Sequence, residues 1–79
     1  MSKKTKKIIS KFSDDQCETV ASMIAGARIY ETTVADQLKE FGNPNIPRSL
    51  ISELDSMKQI DKVGVMLELL DRTIELGGP

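Results

Sequence analysis

The run Ile60-Asp61-Lys62-Val63-Gly64-Val65-Met66-Leu67-Glu68-Leu69-Leu70-Asp71-Arg72-Thr73-Ile74-Glu75-Leu76 decides the fold class. Ile60, Val63, Leu67, Leu70 and Ile74 recur at steps of three, four, three and four, which is the spacing of one helix face, and predict a helix over about 58–76. A second line, Met66, Leu69, Thr73 and Leu76, runs beside the first. With Val65, the two lines cover roughly 220° of the circumference at about 100° per residue. Asp61, Glu68, Asp71, Arg72 and Glu75 share the remaining arc, and Lys62 intrudes on the apolar side, where its aliphatic stem can lie along the core. Gly77-Gly78-Pro79 ends the helix.

A helix that serves one core needs an apolar stripe little wider than about 100°. The five-residue line is therefore read as the core seam, with Leu67 at its centre, and Val65, Met66, Leu69 and Leu76 as surplus. A chain this short is marginal on its own core, so the surplus is expected to be covered by another copy, giving a homodimer or higher oligomer. Ile60, Val63, Val65, Met66, Leu69 and Leu76 are the expected interface residues. In the alternative arrangement, the earlier helices wrap the last one as a central element.

Upstream, Pro47 fits the first turn of a helix over 47–57, with Leu50, Ile51, Leu54 and Met57 facing inward. Nothing between Ser56 and Gln59 marks a break before the last helix. Asn43-Pro44-Asn45 reads as a loop, and Val34, Leu38 and Phe41 predict a short helix over 34–41, capped by Thr32 or Thr33 and stopped by Gly42. Ser13, with Gln16 three residues on, has the chemistry of a capping box. It opens a helix over 13–29 along Cys17, Val20, Ala21 and Ile24. In that helix Ala21, Ser22, Ala25 and Gly26 offer a small-residue groove for another helix, or Gly26 is simply a weak spot costing about 1 kcal/mol. Residues 1–12 read as a flexible basic tail. The fold class is thus all-α, a single domain with a small three- to four-helix bundle and no β-sheet.

Composition agrees. In 79 residues, 39% are hydrophobic and only 4% aromatic (Phe12, Tyr30, Phe41), so the core is built from Leu, Ile, Val, Met and Ala. Charge is uneven: Lys3, Lys4, Lys6, Lys7 and Lys11 precede the first acid, while from Ser13 onward six basic residues meet twelve acids, a net of −6. Such a split marks either a solubilising terminus or an arm for nucleic acid. Cys17 is the only cysteine, which excludes an internal disulfide and suggests a reducing, cytoplasmic setting. No secretory signal and no membrane-spanning run is expected.

Histidine is absent, and with it the side chain that titrates nearest neutrality. Cys17 lies beside Asp14, Asp15 and Glu18, which oppose a thiolate, so it reads as a packed core thiol. No phosphate loop, zinc pattern or calcium loop is present. No enzyme, cofactor or metal is expected.

Thr33-Val34-Ala35-Asp36-Gln37-Leu38-Lys39-Glu40-Phe41-Gly42, followed by Ile46-Pro47-Arg48-Ser49-Leu50-Ile51-Ser52-Glu53-Leu54, resembles the helix-turn-helix segment of winged-helix regulators. The resemblance implies that Arg48, Ser49 and Ser52 face a major groove and that Lys3, Lys4, Lys6 and Lys7 track phosphate. The spacing from Ala35 to Gly42 is longer than the compact motif, no β-wing follows, and Glu53, Asp55 and the acidic body oppose a polyanion. Two readings therefore stand: a self-associating interaction protein that binds a larger protein as regulators and inhibitors do, and a helix-turn-helix-like DNA-binding regulator. A small anionic ligand held between protomers would require Arg28, Tyr30 or Arg48 to converge.

Overall fold

The computed structural model describes residues 3–41 and 45–75. They form five helices and no strand: α1 Lys3–Ile9, α2 Asp14–Ile29, α3 Val34–Glu40, α4 Arg48–Asp55 and α5 Gln59–Glu75. The two long helices, α2 and α5, pack on each other most extensively; α1 lies on α5, α3 on α2 and α4 on α3. Cys17, Val20, Met23 and Ile24 of α2 meet Val65 and Leu69 of α5, with Val34 and Leu54 closing the core. No described helix is long and apolar enough to cross a membrane.

Local chemistry sets the ends. Gln16 Oε1 accepts the Ser13 N–H at 2.9 Å, the reciprocal half of a capping box. At the other end of α2, the Thr32 N–H donates to the Ala27 carbonyl at 2.9 Å and Glu31 takes φ 52°. This is a Schellman-type stop with glutamate at the left-handed position that glycine usually fills. Thr33 Oγ1 accepts the Asp36 N–H at 3.1 Å and caps α3. Between α4 and α5, the Ser56 hydroxyl donates to the Glu53 carbonyl at 2.7 Å, and residues 56–58 belong to neither helix, so the two are separate. Gly42, Asn43, Pro44 and the terminal Gly77-Gly78-Pro79 lie outside the described residues.

Two expectations are corrected. Residues 3–12 are not a flexible tail. Thr5, Ile8 and Phe12 are buried, Ile9 is partly buried, and the steps of three and four between them are those of a helix face. Arg72 of α5 fastens this segment: its guanidinium donates to the carbonyls of Ile9 (3.1 Å) and Phe12 (3.2 Å) and pairs with Asp14 at 2.6 Å. Part-buried carbonyls at and after the C-terminal end of α1 thereby gain a charged donor.

The second correction is the phase of α5. Its inward face is Lys62, Val65 and Leu69, with Met66, Arg72 and Thr73 half-buried beside them. Ile60, Leu67, Leu70 and Ile74, read as the core seam, are exposed. Val65 and Leu69 are fully enclosed within the protomer and cannot meet a partner. Lys62, only 9% exposed, lies on the inner side as its place in the pattern implied.

Candidate functional site

The exposed apolar surface gathers in two places. On α5, Ile60 (78% exposed), Leu67 (54%), Leu70 (39%) and Ile74 (67%) run along the outer face, with Val63 half-buried in the same line. Their steps of three and four average 3.5 residues, the repeat by which two helices keep a common seam in contact. At 100° per residue, Asp71, Glu75, Glu68 and Asp61 follow along one flank of that line. Of the six expected interface residues, Ile60 is open and Val63 half-open. Met66 packs against the core, Val65 and Leu69 are core, and Leu76 lies outside the described residues.

The second place is an open trough of about 810 Å³ between α2 and α3. Its floor is Ser22, Ala25 and Gly26, and its rim carries Ile29, Tyr30 and Phe41, all exposed. The small-residue stripe has a use within the protomer: a Cβ on Gly26 would stand 2.2 Å from Gln37 Oε1, so glycine admits α3. The Gln37 side chain is only 7% exposed and, among the described residues, makes no hydrogen bond. Sequence reading passed over this residue, because a glutamine in a short helix looks like surface. Its single signal was its register, three residues from both Val34 and Glu40 on α3.

Asp36 and Glu40 supply the charge of this trough, and among the described residues no cation lines it. The Thr32 hydroxyl donates to the Asp36 carboxylate, and with the Thr33 contacts and Lys39 it holds that carboxyl below its ordinary pKa. The Glu40 carboxylate has no ion pair or hydrogen bond among the described residues. Tyr30 therefore sits among carboxylates in this trough, and Arg28 and Arg48, whose convergence with it a small anion would require, do not line it.

On α4, Arg48, Ser49 and Ser52 are exposed while Leu50, Ile51 and Leu54 are buried. The two acids of this helix are engaged: Glu53 Oε1 pairs with Lys11 Nζ at 3.3 Å, and the Asp55 carboxylate accepts the backbone N–H groups of Val34 (2.8 Å) and Ala35 (3.2 Å). Residues 41–47 separate α3 from α4, longer than the roughly three- to four-residue turn of a compact helix-turn-helix. Lys3, Lys6 and Lys7 are exposed on α1; the Lys4 side chain lies outside the described set.

Cys17 is fully buried in the first turn of α2. Burial pushes its thiol up, and nearby Asp14 adds to this against the pull of Arg72. Among the described residues, no group of three or more His, Cys, Asp or Glu side chains is placed to hold a metal ion. Compared with protein-family models, curated proteins and solved structures, the chain matches none.

Proposed function

We propose that this chain is a non-enzymatic helical interaction protein that self-associates through the outer seam of α5 and acts by binding a larger protein. One observation carries the reading: a heptad-spaced apolar line, Ile60, Val63, Leu67, Leu70 and Ile74, faces away from the protomer's own core. Apolar side chains at that period cost free energy in water, and burying each is worth about 1.5 to 3 kcal/mol. A seam whose repeat is its own complement meets that requirement with a second α5. Buried as a neutral thiol, Cys17 suits a reducing compartment such as the cytoplasm.

Light scattering coupled to size exclusion at micromolar concentration tests this directly. The expected mass is a multiple of 8.7 kDa, and Leu67→Lys should return the single-chain mass with an unchanged helical signal. A wild-type chain that elutes at 8.7 kDa overturns the reading.

A second reading, DNA binding through α4, is favoured by one arrangement: Glu53 and Asp55 are both held by other parts of the chain, leaving Arg48, Ser49 and Ser52 on the outer face. Duplex binding by this route would weaken steeply with salt and with loss of Lys3, Lys6 and Lys7. A gel-shift series that finds no complex at low ionic strength rejects it.

A further inference from the structure

We propose that the trough between α2 and α3 is the surface that receives the partner protein, and that its occupant is a segment combining an apolar anchor with lysine or arginine. This rests on the reading of the chain as an interaction protein but uses a different face from the α5 seam.

Three features converge on it. Ile29, Tyr30 and Phe41 leave large apolar side chains in water around a floor of small residues, which is the form of a site that seats an anchor side chain. Asp36 and Glu40 give the lining two carboxylates and, among the described residues, no cation; Lys39 offsets Asp36 in part, Glu40 has no ion pair, and the complementary segment is basic. The rings of Tyr30 and Phe41 add faces on which an ammonium or guanidinium can rest.

The third feature is Gln37. Its side chain packs on Gly26 and lines the trough, and its amide makes no hydrogen bond among the described residues while its polar atoms keep contact with solvent. An accessible amide without a protein partner is free to donate to, or accept from, a bound segment. A ligand backbone or side chain entering the trough supplies that partner. An amphipathic partner helix satisfies all three requirements at once, since its apolar face and flanking cations lie side by side.

The test uses two probes on the full chain, a short helical peptide of leucine and lysine and its leucine–glutamate counterpart, followed by heteronuclear NMR. The lysine peptide should shift the Gly26 and Phe41 backbone amides and the Gln37 side-chain amide, and the glutamate peptide should not. Glu40→Lys reverses one charge without removing any hydrogen bond or ion pair among the described residues. It should weaken the lysine peptide about tenfold, the scale of one interfacial charge pair. Shifts confined to α5, equal binding of the two peptides, no binding, or indifference to Glu40→Lys each overturn the proposal. Self-association is read separately by mass: a dimer that ignores the peptides rejects only the trough, and a monomer that binds the lysine peptide rejects only the seam.

Discussion

The Asp55 carboxylate, at the last turn of α4, accepts the Val34 N–H at 2.8 Å and so caps a helix that begins 21 residues earlier. A helix N-terminus leaves donors unsatisfied, and Thr33 satisfies only the Asp36 N–H. Asp55 takes two more and adds a negative charge where the α3 dipole favours one. Asp55→Ala should lower stability by about 1 to 2 kcal/mol, the range for loss of a cap. Asp55→Asn, which keeps an acceptor without the charge, should lose less. Urea denaturation of the three chains measures this, and equal midpoints for wild type and alanine variant would show that water replaces the carboxylate at no cost.

The inverted phase of α5 separates two leucines that lie two residues apart. Leu69 is fully buried and Leu67 is 54% exposed. Leu69→Ala should cost about 2 to 5 kcal/mol, enough to unfold much of so small a domain. Leu67→Ala, compared in the monomeric state at high dilution, should stay within about 0.5 kcal/mol as an ordinary surface change. A large loss at Leu67 under those conditions would return it to the core.

These two leucines also mark what a sequence can specify. Ser13 and Thr33 act on backbone groups within a few residues, so the starts of α2 and α3 can be read from the chain, whereas the distant Asp55 cap on α3 and the break at Ser56 cannot. The facing of α5 is different. The outer line holds Ile60, Leu67, Leu70 and Ile74 whereas the inner line includes Lys62, and hydropathy therefore favours the wrong line. The facing of α5 is met by contacts with other elements: Val65 and Leu69 pack in the core with α2, and the Arg72 guanidinium reaches carbonyls 63 and 60 residues away. A pattern that counts α5 alone holds no record of those contacts. Lysines hid α1 in the same manner: their charge reads as a solvated tail, although Thr5, Ile8 and Phe12 keep helical spacing beneath it. The trough depends on α3 crossing α2 at Gly26, a juxtaposition that neither helix encodes by itself.

The two described glycines in helices should respond oppositely to a methyl group. Gly64, inside α5, has nothing within 4 Å of a new Cβ, so Gly64→Ala gains helix propensity of about 0.8 to 1 kcal/mol. For a domain of this size that corresponds to a rise in Tm of about 4 to 8 °C. Gly26→Ala gains the same propensity but must displace the Gln37 amide from 2.2 Å, so its gain should be cancelled or reversed. Thermal melts of the two variants decide; a matching rise at both positions would mean that Gln37 swings aside freely.

Arg72 should govern the docking of α1. Removing the guanidinium leaves the Ile9 and Phe12 carbonyls without that donor and Asp14 without its cation. Arg72→Ala should therefore loosen residues 3–12 before the rest of the fold, as a faster tryptic cut among Lys3, Lys6, Lys7 and Lys11. Lysine at this position cannot donate in a fork to two carbonyls and a carboxylate at once, so Arg72→Lys should rescue only in part. Hydrogen exchange that speeds equally in α1 and α2 would instead place Arg72 in the global stability of the fold.

Cys17 gives the fold an alkaline limit whose sign follows from burial. In the unfolded chain a thiol ionises near about 8.5, whereas burial holds the native thiol above its ordinary range. Above that pH the unfolded chain releases a proton that the native chain keeps, so native structure is favoured less as pH rises. The contribution is fully present below about pH 8.5 and is lost progressively above it, by at most about 1.4 kcal/mol per pH unit. Lysines titrate in the same region, so the informative quantity is the difference in stability between wild type and Cys17→Ala. That difference should be constant at neutral pH and shrink from about pH 9 upward as the thiolate favours the unfolded wild-type chain. A pH-independent difference would mean that the pull of Arg72 fully offsets burial and the native thiol ionises as readily as the unfolded one.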